Sequence, residues 1–124
     1  MDANHHRILF VEDDDQVRIL VEGALEDEGF DVDTASTVGG ARQLLATNRF
    51  DLVFTDGRLP DGDGFSLVAE ASAIGMKVLV YTAYGSEFSV SNRANYPVLA
   101  KPVRISELIF IIRHFLGENV VSTP

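Results

Sequence analysis

Leu52-Val53-Phe54-Thr55-Asp56-Gly57-Arg58-Leu59-Pro60 opens as a run of apolar, β-branched and aromatic residues and stops at a carboxylate. Bounded by Gly and Pro, it reads as a buried strand that ends in a tight loop. Asp56 therefore stands at the strand's carboxyl end, where α/β proteins place their chemistry. Three other apolar runs end the same way. Ile8 to Val11 leads into Glu12 and Asp13, Val78 to Tyr81 into Thr82, and Pro97 to Ala100 into Lys101.

Around these runs the chain alternates between strand and helix patterns. Ile8-Leu9-Phe10-Val11 is continuous rather than alternating, as expected of a strand covered on both faces. Val17, Leu20, Val21, Ala24 and Leu25 follow at helical spacing, with Gly29 as the expected C-terminal cap. Asp14 and Asp15 precede that helix, where carboxylates satisfy its first N–H groups and face the positive end of its dipole. Phe30 to Ala35 reads as a short strand, and Ser36 is the expected cap of a second helix carrying Val38, Ala41, Leu44 and Leu45. Asp61-Gly62-Asp63-Gly64 reads as a turn. Phe65, Leu67, Val68, Ala71 and Ile74 form the expected buried side of a third helix, and Lys77 to Thr82 a further buried strand.

Gly85 to Asn95 is rich in Gly, Ser and Asn, so a fourth helix there is expected to be short or irregular. Pro97 lacks an N–H, which places the last strand at a sheet edge or makes it short. Ile105, Leu108, Ile109, Ile112, Phe115 and Leu116 then mark an amphipathic helix ending at Gly117. Strands alternating with helices predict an α/β fold, a parallel sheet with helices on both faces and right-handed crossovers.

Composition bounds the function. At 124 residues the chain has the length of one domain, and 46% hydrophobic with 23% charged residues is globular composition. A formal net charge of −9 repels phosphodiester backbones and anionic lipid, so neither direct nucleic-acid binding nor membrane-surface binding is expected. No cysteine means no disulfide framework and no thiolate metal site. The sequence has no apolar run of membrane-span length and no signal core, so a cytoplasmic location is expected.

In a parallel sheet Glu12, Asp13, Asp56, Thr82 and Lys101 project from one edge. Three carboxylates that close together repel, so either one keeps its proton or a cation joins them. Oxygen donors alone favour a hard cation, Mg²⁺ above all. Lys101 adds a positive charge and Thr82 a hydroxyl beside a carboxylate able to attack. Together these are the parts for phosphoryl transfer onto Asp, a reaction helped mainly by positioning and charge neutralisation.

The motifs Ile8-Leu9-Phe10-Val11-Glu12-Asp13-Asp14, Asp56-Gly57-Arg58-Leu59-Pro60-Asp61-Gly62-Asp63-Gly64-Phe65, Tyr81-Thr82-Ala83 and Leu99-Ala100-Lys101-Pro102-Val103, each at a strand end, resemble those of receiver domains of two-component response regulators. The resemblance covers nearly the whole chain. It implies a flavodoxin-like, doubly wound five-stranded parallel sheet of order 2-1-3-4-5. It also implies a single receiver domain over 1–124, with a core at about 7–117 and a C-terminal tail at 118–124.

By the same resemblance Asp56 accepts phosphate from a sensor histidine kinase or a histidine phosphotransfer protein, and the switched surface serves an output partner. Asp13, Asp56 and the backbone carbonyl of Arg58 would bind Mg²⁺, Glu12 would act through a metal-bound water, and Lys101 and Thr82 would hold the phosphoryl group. The Lys101–Pro102 bond is commonly cis in the family. Two departures stand out: Val98 occupies the place of the usual switch aromatic, and the stretch from Thr82 to Lys101 is somewhat shorter than usual. Tyr84 or Tyr96 is the candidate substitute, and ordering of Gly85 to Asn95 the candidate signal.

Other readings are weaker. A phosphatase of the haloacid-dehalogenase type needs a second Asp two residues after its nucleophile, where Arg58 stands, and its acidic pair follows the Lys instead of preceding it. A pseudo-receiver would signal without phosphate, and retention of all five strand-end residues weighs against that. No small-molecule turnover is expected. Asp61 to Gly64 is no calcium loop, since an EF-hand starting at Asp61 would need Glu where Ser72 stands. His5, His6 and His114 read as terminal or surface side chains.

Overall fold

The computed structural model describes residues 6–83 and 97–117. The expected irregular fourth helix, the candidate aromatics Tyr84 and Tyr96, His5 and the 118–124 tail lie outside the described residues. In chain order the elements are β1 (Arg7–Val11), α1 (Asp15–Asp27), β2 (Asp31–Ala35), α2 (Val38–Thr47), β3 (Leu52–Asp56), β4 (Arg58–Leu59), β5 (Gly62–Asp63), α3 (Gly64–Ala73), β6 (Lys77–Thr82), β7 (Val98–Ala100) and α4 (Ile105–Phe115).

Five strands form one sheet in the order β2-β1-β3-β6-β7, every pair parallel, with β7 at an edge beside Pro97. This is the order expected for five main strands, with β4 and β5 set apart as a two-residue antiparallel ribbon. Because successive strand residues face opposite ways, the continuous apolar runs feed two cores. Leu9, Val11, Val53 and Val80 pack against Val38 and Ala41 of α2 and Leu67, Val68 and Ala71 of α3. Ile8, Phe10, Phe54, Leu79 and Tyr81 pack against Val21 and Leu25 of α1 and Leu108 and Ile112 of α4. On this second face the Phe10 and Phe54 rings stack at 4.8 Å, and the Phe54 and Tyr81 rings at 5.4 Å. Such pairs add stability beyond the area they bury.

Local chemistry explains most of the element ends. Asp14 caps α1 by accepting from the N–H groups of Gln16 and Val17. Asp15 instead pairs with Arg18 in the first turn. Gly29 and Gly117 follow α1 and α4 with φ of 96° and 76°, values that an L side chain resists.

The structure differs from the sequence expectation at four places. The cap of α2 is Thr37, whose Oγ1 accepts from Gly40 N at 2.9 Å, because the helix starts one residue later than a Ser36 cap requires. Leu20 is 62% exposed: it lies about 100° round the helix from Val21, off the Val17–Val21–Leu25 stripe. Ile74 is 57% exposed because it is the C-cap of α3, past the last turn that faces the sheet. The Asp61–Gly64 turn contains strand β5 and then Asp63, which caps α3 by accepting from Phe65 N at 2.7 Å.

Candidate functional site

The register of the sheet assembles the site. Val11 pairs with Thr55, so the next residues, Glu12 and Asp56, emerge side by side. Asp56 pairs with Tyr81, and Thr82 with Ala100, which brings Thr82 and then Lys101 to the same edge. Carboxylate oxygens of Glu12, Asp13 and Asp56 lie within 4.8 Å of one another. Lys101 Nζ is 2.9 Å from Asp56 Oδ2 and 3.3 Å from Glu12 Oε1. Four of the expected residues thus form one charged cluster.

The remaining two border it. Arg58 N–H points at Asp56 Oδ1 from 3.3 Å, so the loop that carries the Arg58 carbonyl is tied to the acceptor. Thr82 is fully buried, and its main-chain carbonyl accepts from Lys101 N at 3.1 Å. The Lys101–Pro102 peptide is cis. Val98 pairs with Val80 in the edge strand and packs on the aliphatic core.

The loop after Asp56 closes tightly. Gly64 N donates to Gly57 O at 3.0 Å, and a Cβ on Gly64 would fall 1.9 Å from the Asp56 carbonyl oxygen, so only glycine fits there. The β4–β5 ribbon is held from outside by Asp61, whose carboxylate accepts from Val38 N at 2.7 Å and Gly39 N at 3.0 Å at the start of α2.

Electrostatics at the edge are uneven. Glu12 is 1% exposed. Burial pushes its carboxyl above the ordinary glutamate value, and Asp56 adds to the rise. The Asp14 N–H at 3.1 Å and the Lys101 charge offset it only in part. Burial also works against the Lys101 ammonium, but the hydrogen bond and charge of Asp56, followed by those of Glu12, outweigh it and raise its pKa. Lys101 thus stays charged and Glu12 is the group under stress.

Three contributors carried no signal in the sequence. Arg18 Nη1 donates to the Glu12 carbonyl at 3.0 Å and steadies the acidic loop. Tyr81 places its ring 4.9 Å beneath Lys101 Nζ, a cation–π contact at the end of the aromatic stack. Asp61 reads as a plain turn residue until α2 is seen beside it. In each case the partners come from different elements, and only the α1 spacing from Glu12 to Arg18 is local.

The donor set at the edge suits a hard cation. All three side chains offer oxygen, and three carboxyl groups face the single ammonium of Lys101. A carboxylate beside an ammonium can act as a nucleophile toward an anionic electrophile, because the ammonium, together with a cation held by the other oxygens, would offset the incoming charge.

Comparison with known proteins identifies relatives of the chain. Residues 8–113 match the family profile of the response regulator receiver domain. The chain is 36% identical over 110 residues to response regulator protein PilR of Pseudomonas aeruginosa, covering 85% of this chain and 25% of that protein. It is 31% identical over 121 residues to transcriptional regulatory protein GlrR of Escherichia coli, covering 94% of this chain and 27% of that one. It therefore spans about a quarter of the length of these curated relatives.

Among solved structures, a CheY-like receiver domain protein of Methanospirillum hungatei superposes with a TM-score of 0.82 at 32% identity, covering 92% of this chain and 95% of that one. Response regulator TrrA of Thermotoga maritima, in complex with Mg²⁺ and BeF, gives 0.80 at 26% identity, covering 89% and 98%. The receiver domain of sensor histidine kinase PA1611 of Pseudomonas aeruginosa, with magnesium in its active site cleft, gives 0.80 at 26% identity, covering 92% and 99%.

Proposed function

This chain belongs to the response regulator receiver domain family of two-component signalling, and from that premise we propose that Asp56 accepts a phosphoryl group from a phosphohistidine on a sensor histidine kinase or a histidine phosphotransfer protein. The observation that carries the reading is Lys101 Nζ at 2.9 Å from Asp56 Oδ2, inside a cluster of three carboxylates. An Asp56 oxygen attacks phosphorus as the P–N bond to the donor imidazole breaks, and the electron pair of that bond stays on the imidazole nitrogen.

Lys101 meets the negative charge of the arriving phosphoryl oxygens, and the Thr82 hydroxyl donates to one of them. Arg58 N–H orients the acceptor carboxylate. Asp13, Asp56 and the Arg58 carbonyl would hold Mg²⁺, with Glu12 acting through a water. When bound, the ion supplies neutralisation of the carboxylates and of the transferring group. The domain core runs over 7–117 and works in the cytoplasm, and its phosphorylated surface engages an output partner.

Incubating the protein with acetyl phosphate and Mg²⁺ and weighing it intact tests the assignment. One added phosphoryl group is expected in the parent, none in Asp56→Asn and none in excess chelator. A gain that persists in Asp56→Asn, or no gain in the parent from either acetyl phosphate or a panel of phosphorylated kinases, defeats it.

A further inference from the structure

Gly57 follows the acceptor directly, and nothing about its backbone calls for glycine. Among the described residues positive φ occurs at Gly29, Gly75 and Gly117. The demand at Gly57 is for space. A Cβ there would stand 2.9 Å from both Cβ and Oγ1 of Thr82, and 3.2 Å from Cε2 of Phe65. The cause is the register: Asp56 pairs with Tyr81, so Thr82 lies abreast of Gly57 on the aliphatic face of the sheet.

Thr82 has no easy way to yield. Its Cβ is one bond from a main chain held between β3 and β7, and its branched side chain is stiff about χ1. It is also fully buried, and its carbonyl receives Lys101 N. We propose that Gly57 is a positioning residue, whose missing side chain seats the Thr82 hydroxyl beside the phosphoacceptor. The proposal rests on the reading of Asp56 as acceptor and adds a residue that acts on the reaction only through Thr82.

A double-mutant comparison tests it, with the rate of Asp56 phosphorylation by acetyl phosphate read by intact mass over a Mg²⁺ titration. Thr82→Gly removes the hydroxyl and both contacts, and should slow phosphorylation about tenfold, the worth of one hydrogen bond to a charged group. Gly57→Ala should slow it by a similar factor at saturating Mg²⁺, where a weaker hold of the neighbouring Arg58 carbonyl on the ion does not limit the rate. The double variant should be no slower than Thr82→Gly alone. Losses that multiply, or a Gly57→Ala rate at saturating Mg²⁺ equal to the parent's, would overturn the proposal.

If Gly57→Ala fails to fold, Thr82→Gly must restore folding in the double variant, and failure to do so also overturns it. A parent that takes no phosphate, or takes it in Asp56→Asn, speaks against the function itself and not against the fit between Gly57 and Thr82.

Discussion

The middle of the sheet and its carboxyl edge are built from the same strands and behave oppositely. In β3, Val53 and Phe54 are wholly buried among apolar neighbours, and the Phe54 ring stacks between Phe10 and Tyr81. Two residues further along the same strand, Asp56 shares a few Å with Glu12, Asp13 and Lys101. The middle loses only hydration when it folds, which is favourable. The edge crowds like charges and buries Glu12 at a cost that Lys101 offsets incompletely. The contrast teaches where this domain keeps its stability and where it gathers the charged groups proposed to receive a cation and an anionic group.

The largest effect should come from the middle. Phe54→Ala should destabilise by about 3–5 kcal/mol, by lost transfer energy plus the cavity left between two rings. Val53→Ala, on the opposite face, should cost roughly 2 kcal/mol. Urea unfolding at neutral pH measures both. Equal costs would mean that the aromatic stack contributes nothing special and that the two cores are interchangeable.

At the edge the sign should reverse. Glu12 in the folded chain holds its proton more tightly than its unfolded value of 4.5 would allow. Its contribution is therefore favourable below that value and is lost as pH rises through the folded pKa, above which ionised Glu12 weakens the fold. Glu12→Gln should match the parent in acid and become the more stable at pH near 7 without added metal. Millimolar Mg²⁺ should stabilise the parent and do little for the variant. Thermal melts across pH provide the check. A variant less stable than the parent at every pH would show that Lys101 outweighs burial and that the edge is not under stress.

The smallest effect should come from the clasp outside both regions. Asp61 is held below the ordinary aspartate value by the N–H groups of Gly39 and Val38. Its stabilising contribution is thus present above 3.8 and lost as pH falls through its folded pKa. Asp61→Ala should lower the melting temperature slightly at neutral pH, and the difference from the parent should close in acid. A difference that stays constant into acid would show that the carboxylate does not hold α2 to the β4–β5 ribbon.

Much of this molecule is legible in its sequence. Continuous apolar runs give β1, β3 and β6 because a strand covered on both faces needs no polar alternation, and helical spacing gives α1 to α4. The positions of Glu12, Asp13, Asp56, Thr82 and Lys101 at run ends follow from the same runs, since the carboxyl ends of parallel strands share one edge. Tertiary structure decided the rest. Leu20 and Ile74 lie outside the core because helix phase and helix ends are set by the sheet beneath, and Thr37 caps α2 because the helix starts where Asp61 receives its N–H groups. The raised Glu12 pKa, the Tyr81 ring under Lys101 and the fit of Thr82 over Gly57 depend on distances between residues far apart in the chain. Periodicity fixes which residues face inward, whereas only the register and packing of the folded sheet fix which of them touch.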